Sequence, residues 1–488
     1  MKRKLVILSA LVAFSASCTD KFEEFNIDTK NPARVSGETL FPNAQLGLTD
    51  QVSSTDVNLN VFKLFAQYWT ETTYTNETNY DIVPRTIPDN TFQEYYTGND
   101  ATLSGGFLQD FKVAAELIGE ADPLTPEAEA VKANKLAIIE LMTAYAYQNL
   151  VDIFGDVPYS EALNIENIAP KYDDAATIYQ DLIRRVDAAL ASLDESQGSF
   201  GSADLIYGGD IASWKRFGNS LKLKLGITIA DSHPELSKTT VESAVAGGVF
   251  TSGEENGELQ YLGATHVNPL YEDLVQSGRD DFIPANSFVD LLNSLNDPRR
   301  PFYFTQTAAG LYVGGPYGEL APYARYSHIA EPITVPDFPG ILLTYDEVLF
   351  YLAEAAARGY NVGGTPDVFY NQAVTESILW WGGTQADADA YLARPEIAYA
   401  TSPGTWQQKI GTQAYIAFYT RGLEGWTEWR RLDYPIFIVP PRIPAYEGIP
   451  KRFTYPVNEQ TLNKANYDAA SAAIGEDRLT TRLFWDRF

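Results

Sequence analysis

The sequence predicts a mainly α-helical fold, with tetratricopeptide-like helix pairs packed into one scaffold and long irregular insertions between them. Three observations predict it. Apolar residues recur at helical spacing along many segments. Several of these segments are joined by short connections, which sets consecutive helices antiparallel and side by side. Two stretches, near 69–100 and 251–340, lose the helical period and fill with Tyr, Thr, Asn, Gly and Pro.

Taken in order, 39–68 reads as helix, broken by the polar patch Ser53-Ser54-Thr55-Asp56. The stretch 69–100 reads as a long ordered loop. Residues 127–154 form a strong helix: Ala130, Ala133, Ala137, Leu141, Ala144 and Gln148 share one face, and Gly155 stops it. Residues 173–193 are the clearest amphipathic segment, with Tyr179, Leu182, Ile183, Val186 and Leu190 on one stripe and Arg184, Arg185 and Asp187 opposite. Helices follow at 210–230 and, shorter, at 241–249. Residues 251–340 are irregular apart from 285–295. Helices resume at 345–359, 366–381, 386–392, 406–419 and 424–431, and a last short one lies near 467–474. Three pairs are evident: 127–154 with 173–193, 211–230 with 241–249, and 345–359 with 366–381.

The first residues have a different purpose. Lys2, Arg3 and Lys4 precede a ten-residue, mostly apolar run, Leu5–Phe14, and then Ser15-Ala16-Ser17-Cys18. This is the order of a secretory signal peptide. The apolar run is shorter than the roughly 20 residues that span a bilayer. Cys18 is the only cysteine in 488 residues, and the small residues before it resemble the lipobox of bacterial lipoproteins, with Ser15 where Leu is usual. The expected organisation is therefore a signal peptide at 1–17, a lipidated tether at 18–37 starting at acylated Cys18, and a single domain at 38–488. An anchor of two or three acyl chains holds stably without any protein helix in the membrane. The acidic run Asp20, Glu23, Glu24 after the cysteine resembles the export signal of Bacteroidota surface lipoproteins.

Removing 1–17 takes three of the 36 Lys+Arg and none of the 64 Asp+Glu, leaving 33 against 64 and a formal charge of −31. A surface so acidic repels phosphate backbones, which excludes nucleic acid as a partner. No intrachain disulfide can form, so stability rests on the core.

Catalytic patterns are missing. His233, His266 and His328 lie far apart, with no metal-binding spacing, and no nucleophile elbow or phosphate loop occurs. No cofactor is implied. Loop carboxylates would allow a structural calcium ion, but no spacing singles one out. Gly314-Gly315 and Gly363-Gly364 read as turns.

The better signal is stacking surface. The 30 Tyr, 25 Phe and 8 Trp are many for a chain of this length. In AQYWTETTYTNETNYDIVPR, residues 66–85, rings alternate with Asn, Asp and Arg. An aromatic ring covers the C–H face of a sugar, and planar polar groups bond its hydroxyl rim. Trp69, Tyr74, Asn79, Tyr80 and Arg85 are the first candidates for ligand binding. Arg279 and Asp281, beside Phe282, and Tyr317 in a Gly/Pro-rich loop are the second. Such rings equally serve to plug a loop onto a core, and Trp426 and Trp429, spaced i, i+3 on a short helix, suit that role better.

Several long blocks resemble one family: DIFGDVPYSEAL (152–163), YDDAATIYQDLI (172–183), YGGDIASWKRFGNSLKLKL (207–225), GWTEWRRLDYP (425–435) and RFTYPVNEQTLNKANYDAA (452–470). They are similar, in order, to the SusD/RagB family of outer-membrane lipoproteins. The resemblance implies four tetratricopeptide-like pairs with insertions that form a ligand face, and a lipid anchor on the cell surface. It also implies a SusC-like TonB-dependent transporter as partner, glycan or in some members peptide as cargo, and no catalysis. The matching blocks are framework, so the resemblance transfers no site residue. Two other readings stay open, a peptide- or protein-binding helical adaptor and a glycosidase using two carboxylates.

Overall fold

The computed structural model describes residues 35–98, 106–443 and 448–487. Cys18, the signal peptide and most of the tether lie outside the described residues. The fold is mainly α. In chain order the principal helices are α1 (Gly37–Ser53), α2 (Phe62–Phe65), α3 (Ile87–Tyr96), α4 (Phe107–Gly119), α5 (Pro126–Phe154), α6 (Ala175–Ser192), α7 (Ile211–Thr228) and α8 (Pro234–Gly247). They continue with α9 (Asn286–Ser294), α10 (Tyr345–Ala357), α11 (Pro366–Trp380), α12 (Gln385–Leu392), α13 (Trp406–Ala417), α14 (Gly422–Leu432) and α15 (Lys464–Ala473). No described helix is long and apolar enough to cross a membrane.

Local chemistry fixes the ends of the long helices. Thr125 caps α5 by accepting from Ala128 N at 3.2 Å, Pro126 follows where its missing N–H does no harm, and Gly155 ends the helix at φ 84°. Asp174 and Asp210 cap α6 and α7 in the same way, each accepting at 2.8 Å from a backbone N–H three residues on.

Packed helix pairs form the scaffold, among them α5 with α6, α7 with α8, α10 with α11, and α13 with α14, while α1 packs on α4. The three pairs read from the sequence are all present, and α13 with α14 is a further one. The second pair is longer than expected because α8 begins at Pro234, a favourable first helical residue, and not at Val241. Two helices escaped the sequence reading. Within the expected loop 69–100, α3 buries Ile87, Thr91, Glu94 and Tyr95, a helical stripe that dense polar residues obscure. Helix α4 buries Phe107, Phe111, Ala114 and Ile118 at regular helical spacing.

The pairs meet around buried charge. Lys224 on α7 reaches Glu347 on α10 at 3.0 Å and Glu424 on α14 at 3.4 Å. Arg421, which precedes α14, pairs with the other oxygen of Glu347. Further along, Arg431 joins Glu354 and Glu428, and Arg358 ties Glu354 to Asp231 at the end of α7. Tyr145 of α5 donates to Leu342 O and approaches Glu424, so each of those four consecutive pairs reaches this network. Burial alone would raise the Glu347 carboxyl, but Lys224 and Arg421 hold it below its ordinary value. Burial pushes Glu428 up to about 7 against the pull of Arg431.

The strands are short. Their main role is to hold the insertions: β1 (Trp69–Glu71) pairs antiparallel with β5 (Phe282–Pro284) in the register Trp69↔Pro284, Thr70↔Ile283, Glu71↔Phe282. The other pairs are β2 (Val157–Pro158) with β3 (Tyr172–Asp173) and β4 (Gly257–Leu259) with β6 (Gly340–Leu343).

Glu347→Ala would strand two buried cations. It should lower stability by about 3–5 kcal/mol, read as a shift in the urea midpoint. A shift no larger than that of a surface substitution would mean that the network does not hold the pairs together.

Candidate functional site

The two insertions meet. The ladder β1–β5 joins them, and past its end Thr72 N donates to Asp281 O at 2.9 Å and Thr72 Oγ1 to Asp280 O at 2.7 Å. On the other side of β5, Gly315 N donates to Pro284 O at 2.9 Å and Asn286 N to Gly315 O at 2.7 Å. Gly314 is therefore more than a turn residue. A Cβ there would come within 2.6 Å of Asn286 N, so only glycine allows the two backbones this close. The turn reading does hold for Gly363, at φ 81°.

At the mouth of this ladder lies a cleft of about 480 Å³, lined by Val57, Glu71, Tyr74, Asn76, Arg85, Arg279, Asp281 and Phe282. Four of the predicted site residues come together here: Tyr74, Arg85, Arg279 and Asp281. Tyr74 is the open ring, 67% exposed, in a protein whose other aromatics are mostly buried. Arg279 Nε donates to Asp281 at 2.5 Å, and the Arg279 side chain is 61% exposed. Arg85 pairs with the buried Glu77 and donates to Asn58 Oδ1 at 2.9 Å. Each guanidinium is thus held by a carboxylate and keeps N–H groups free for a ligand.

Val57, Glu71, Asn76 and Phe282 complete the cleft and were not among the site residues predicted from sequence. Asn76 and Phe282 stood in the aromatic stretches already singled out. Glu71 stood in the same stretch as Asn76, but its place in the cleft depends on the ladder. It accepts from Thr78 N and Thr78 Oγ1 at 3.1 and 2.8 Å. Burial pushes its carboxyl up to about 7, against the hydrogen bonds from Thr78 and the pull of Arg85.

The other four predicted residues lie inside the protein and present no face to a ligand. Trp69 is fully buried and donates from Nε1 to Tyr419 Oη at 2.9 Å. Tyr80 and Tyr317 are buried, and Tyr317 donates to Leu64 O at 2.8 Å. Asn79 bonds Thr75 O and Gly318 O and accepts from Arg442 N, so its side chain is saturated by backbone. The physical reason is shared: a long loop needs its own posts on the core, and these side chains are the posts. Trp426 and Trp429 pack as expected. Arg430 lies 3.5 Å over the Trp426 ring, and Trp429 stacks on Phe437.

Two other clefts differ in character. One, of about 640 Å³, lies beside Phe92, Tyr96, Pro158 and Ile165 and contains no arginine. One of about 410 Å³ is lined by carboxylates, among them Asp50, Glu272 and Asp273, with His266 on Asp50 at 2.9 Å. Among the described residues no group of three or more His, Cys, Asp or Glu is arranged to hold a metal ion.

Fold and cleft together define a class: a helical scaffold that presents a cleft built from long loop insertions. A family model described as "Starch-binding associating with outer membrane" matches residues 29–456, and the chain belongs to this SusD-like family. Solved structures agree. A chitin-binding protein is 25% identical with a TM-score of 0.78, the match covering 93% of this chain and 100% of that one. A SusD-like protein from Bacteroides thetaiotaomicron is also 25% identical, TM-score 0.75, covering 91% and 98%. A SusD homologue from Parabacteroides distasonis has the same fold at 21% identity, TM-score 0.79, covering 92% and 98%. None of the curated proteins compared with the chain matches it.

Trp69→Ala should destabilise the fold by about 3–5 kcal/mol, whereas Tyr74→Ala should stay within about 0.5 kcal/mol of wild type. Thermal unfolding of both variants checks the assignment of post and platform, and equal losses would contradict it.

Proposed function

We propose that this protein captures glycans at the cleft lined by Tyr74, Arg85, Arg279 and Asp281 and delivers them to a SusC-like TonB-dependent transporter. The observation that carries the proposal is the meeting of the two insertions in one ladder, which brings an exposed ring and two paired guanidiniums into one cleft. Tyr74 offers a face for the C–H side of a sugar ring. Arg85, Arg279, Asp281 and Asn76 offer donors and acceptors to its hydroxyls. The family's description as starch-binding, and the name of a 25% identical chain as chitin-binding, support a glycan as the ligand.

Acylation of Cys18 would hold the chain on the outer membrane, beside the transporter it serves. The protein's work on this reading is binding and release. The cleft holds carboxyls, but holding a polymer for transport requires no bond to be broken.

Affinity electrophoresis of the chain from Thr19 onward, through gels of plant, fungal and host polysaccharides, tests the proposal. At least one glycan should retard the wild type. Tyr74→Ala should lose roughly ten- to a hundredfold in affinity for it, the weight of about 1.5–3 kcal/mol for a ring contact. Retardation by no polysaccharide, together with binding of peptides, would replace glycan with peptide as the cargo.

A further inference from the structure

A second polar cleft, also of about 480 Å³, lies beyond the C-terminal end of α9, the helix that follows β5. Nine helical residues, about 13 Å of rise, separate the two regions. The cleft is lined by Asn296, Arg300, Phe302, Tyr312, Tyr391 and Arg394, among others.

Two guanidiniums flank one turn there. Arg394 donates to Leu295 O, and Arg300 donates to Asn296 Oδ1 on the next residue. Arg300 also donates from Nε to Asp297 O at 3.0 Å and from Nη1 to Asn293 Oδ1 at 3.1 Å. All three acceptors are neutral, and among the described residues Arg300 forms no ion pair. Three of its five N–H groups are used, so each terminal nitrogen keeps one.

The acids of the lining are occupied elsewhere. Asp297 binds Arg299 through both oxygens, inside the core. Asp387 accepts from Thr384 N and Thr384 Oγ1 at the start of α12. Arg394 pairs with the part-exposed Glu396, a surface contact of little strength. In a chain with a formal charge of −28, Arg300 is thus a held cation with no ion-pair partner among the described residues, and Asp387 keeps a carboxylate charge in the same lining. Distant acids are screened within a Debye length of about 8 Å at physiological salt. Arg300 also lies over the half-buried Tyr312 ring at 5.4 Å, which fixes its plane, and Phe302 lines the same cleft.

We infer that this second cleft binds the carboxylate of an acidic sugar residue, with Arg300 taking the carboxylate and Tyr312 and Phe302 contacting the ring. A planar carboxylate matches the two remaining N–H groups of the guanidinium. The inference rests on the glycan reading and adds an acidic glycan as substrate class. It concerns a different cleft from the first.

Isothermal titration of the chain from Thr19 onward with trigalacturonate and with its methyl ester, at 50 and 300 mM NaCl, tests it. The acid should bind at least tenfold more tightly than the ester, and the advantage should shrink at the higher salt. Arg300→Gln should erase the advantage, and Tyr312→Ala should weaken acid and ester alike. Tyr74→Ala should leave the preference in place. A preference that survives Arg300→Gln, one that Tyr74→Ala removes, or no preference at all overturns the inference. Failure of both probes to bind, while neutral polysaccharides retard the chain, would overturn it and leave glycan capture at the first cleft standing.

Discussion

The scaffold depends on charge that is buried and matched. Lys224, Arg421 and Arg431 lie within the helix bundle, each against glutamates of a neighbouring helix. Charges so placed cost more to bury than apolar groups of the same size, and removing one partner leaves the other uncompensated. A pair of helices sliding past its neighbour by one turn would separate Lys224 from Glu347 or Arg431 from Glu354. The network therefore fixes register where apolar packing alone would tolerate shifts. Tyr351 adds to it, donating to Glu347 at 2.7 Å from one turn further along α10.

The cleft where the insertions meet inherits that rigidity through a few posts. Tyr68 donates to Tyr415 O on α13 and Trp69 to Tyr419 just beyond it, so the first insertion leaves the scaffold from a fixed point. From Trp69 the ladder to β5 carries the position on to Phe282 and Asp281, and Gly315 extends it to the second half of the later insertion. Lys63, buried next to this region, donates to Ser53 O and Ser54 O at the end of α1. Burial pulls its ammonium down to about 7, with Asp273 and Glu424 opposing. The open side chains Tyr74 and Arg279 thus project from backbone anchored on both sides, which limits the entropy lost when a ligand orders them.

Much of the scaffold was legible in the sequence because helices announce themselves locally. The stripe of 173–193 and the stop at Gly155 need only neighbouring residues. The insertions were legible as regions and only half legible as sites. Tyr74 and Trp69 stand five residues apart in the same aromatic stretch, yet one is open and the other fully buried. The difference comes from the pairing of Trp69 with Pro284 and from the hydroxyl of Tyr419, both remote in sequence. Glu71 entered the cleft by the same route. Helix α4 is a different case: its stripe of Phe107, Phe111, Ala114 and Ile118 was present in the sequence and went unread.

Capture is proposed at the face built where the two insertions meet. Hydrogen–deuterium exchange of the chain from Thr19 onward, with and without a glycan that retards it, tests that claim directly. Slower exchange in the presence of glycan is predicted for backbone amides at 72–79 and 277–282, with α5, α6 and α8 unchanged. Binding that protects only the cleft beside Phe92 and Ile165, or that leaves 72–79 and 277–282 unaffected, would contradict the account.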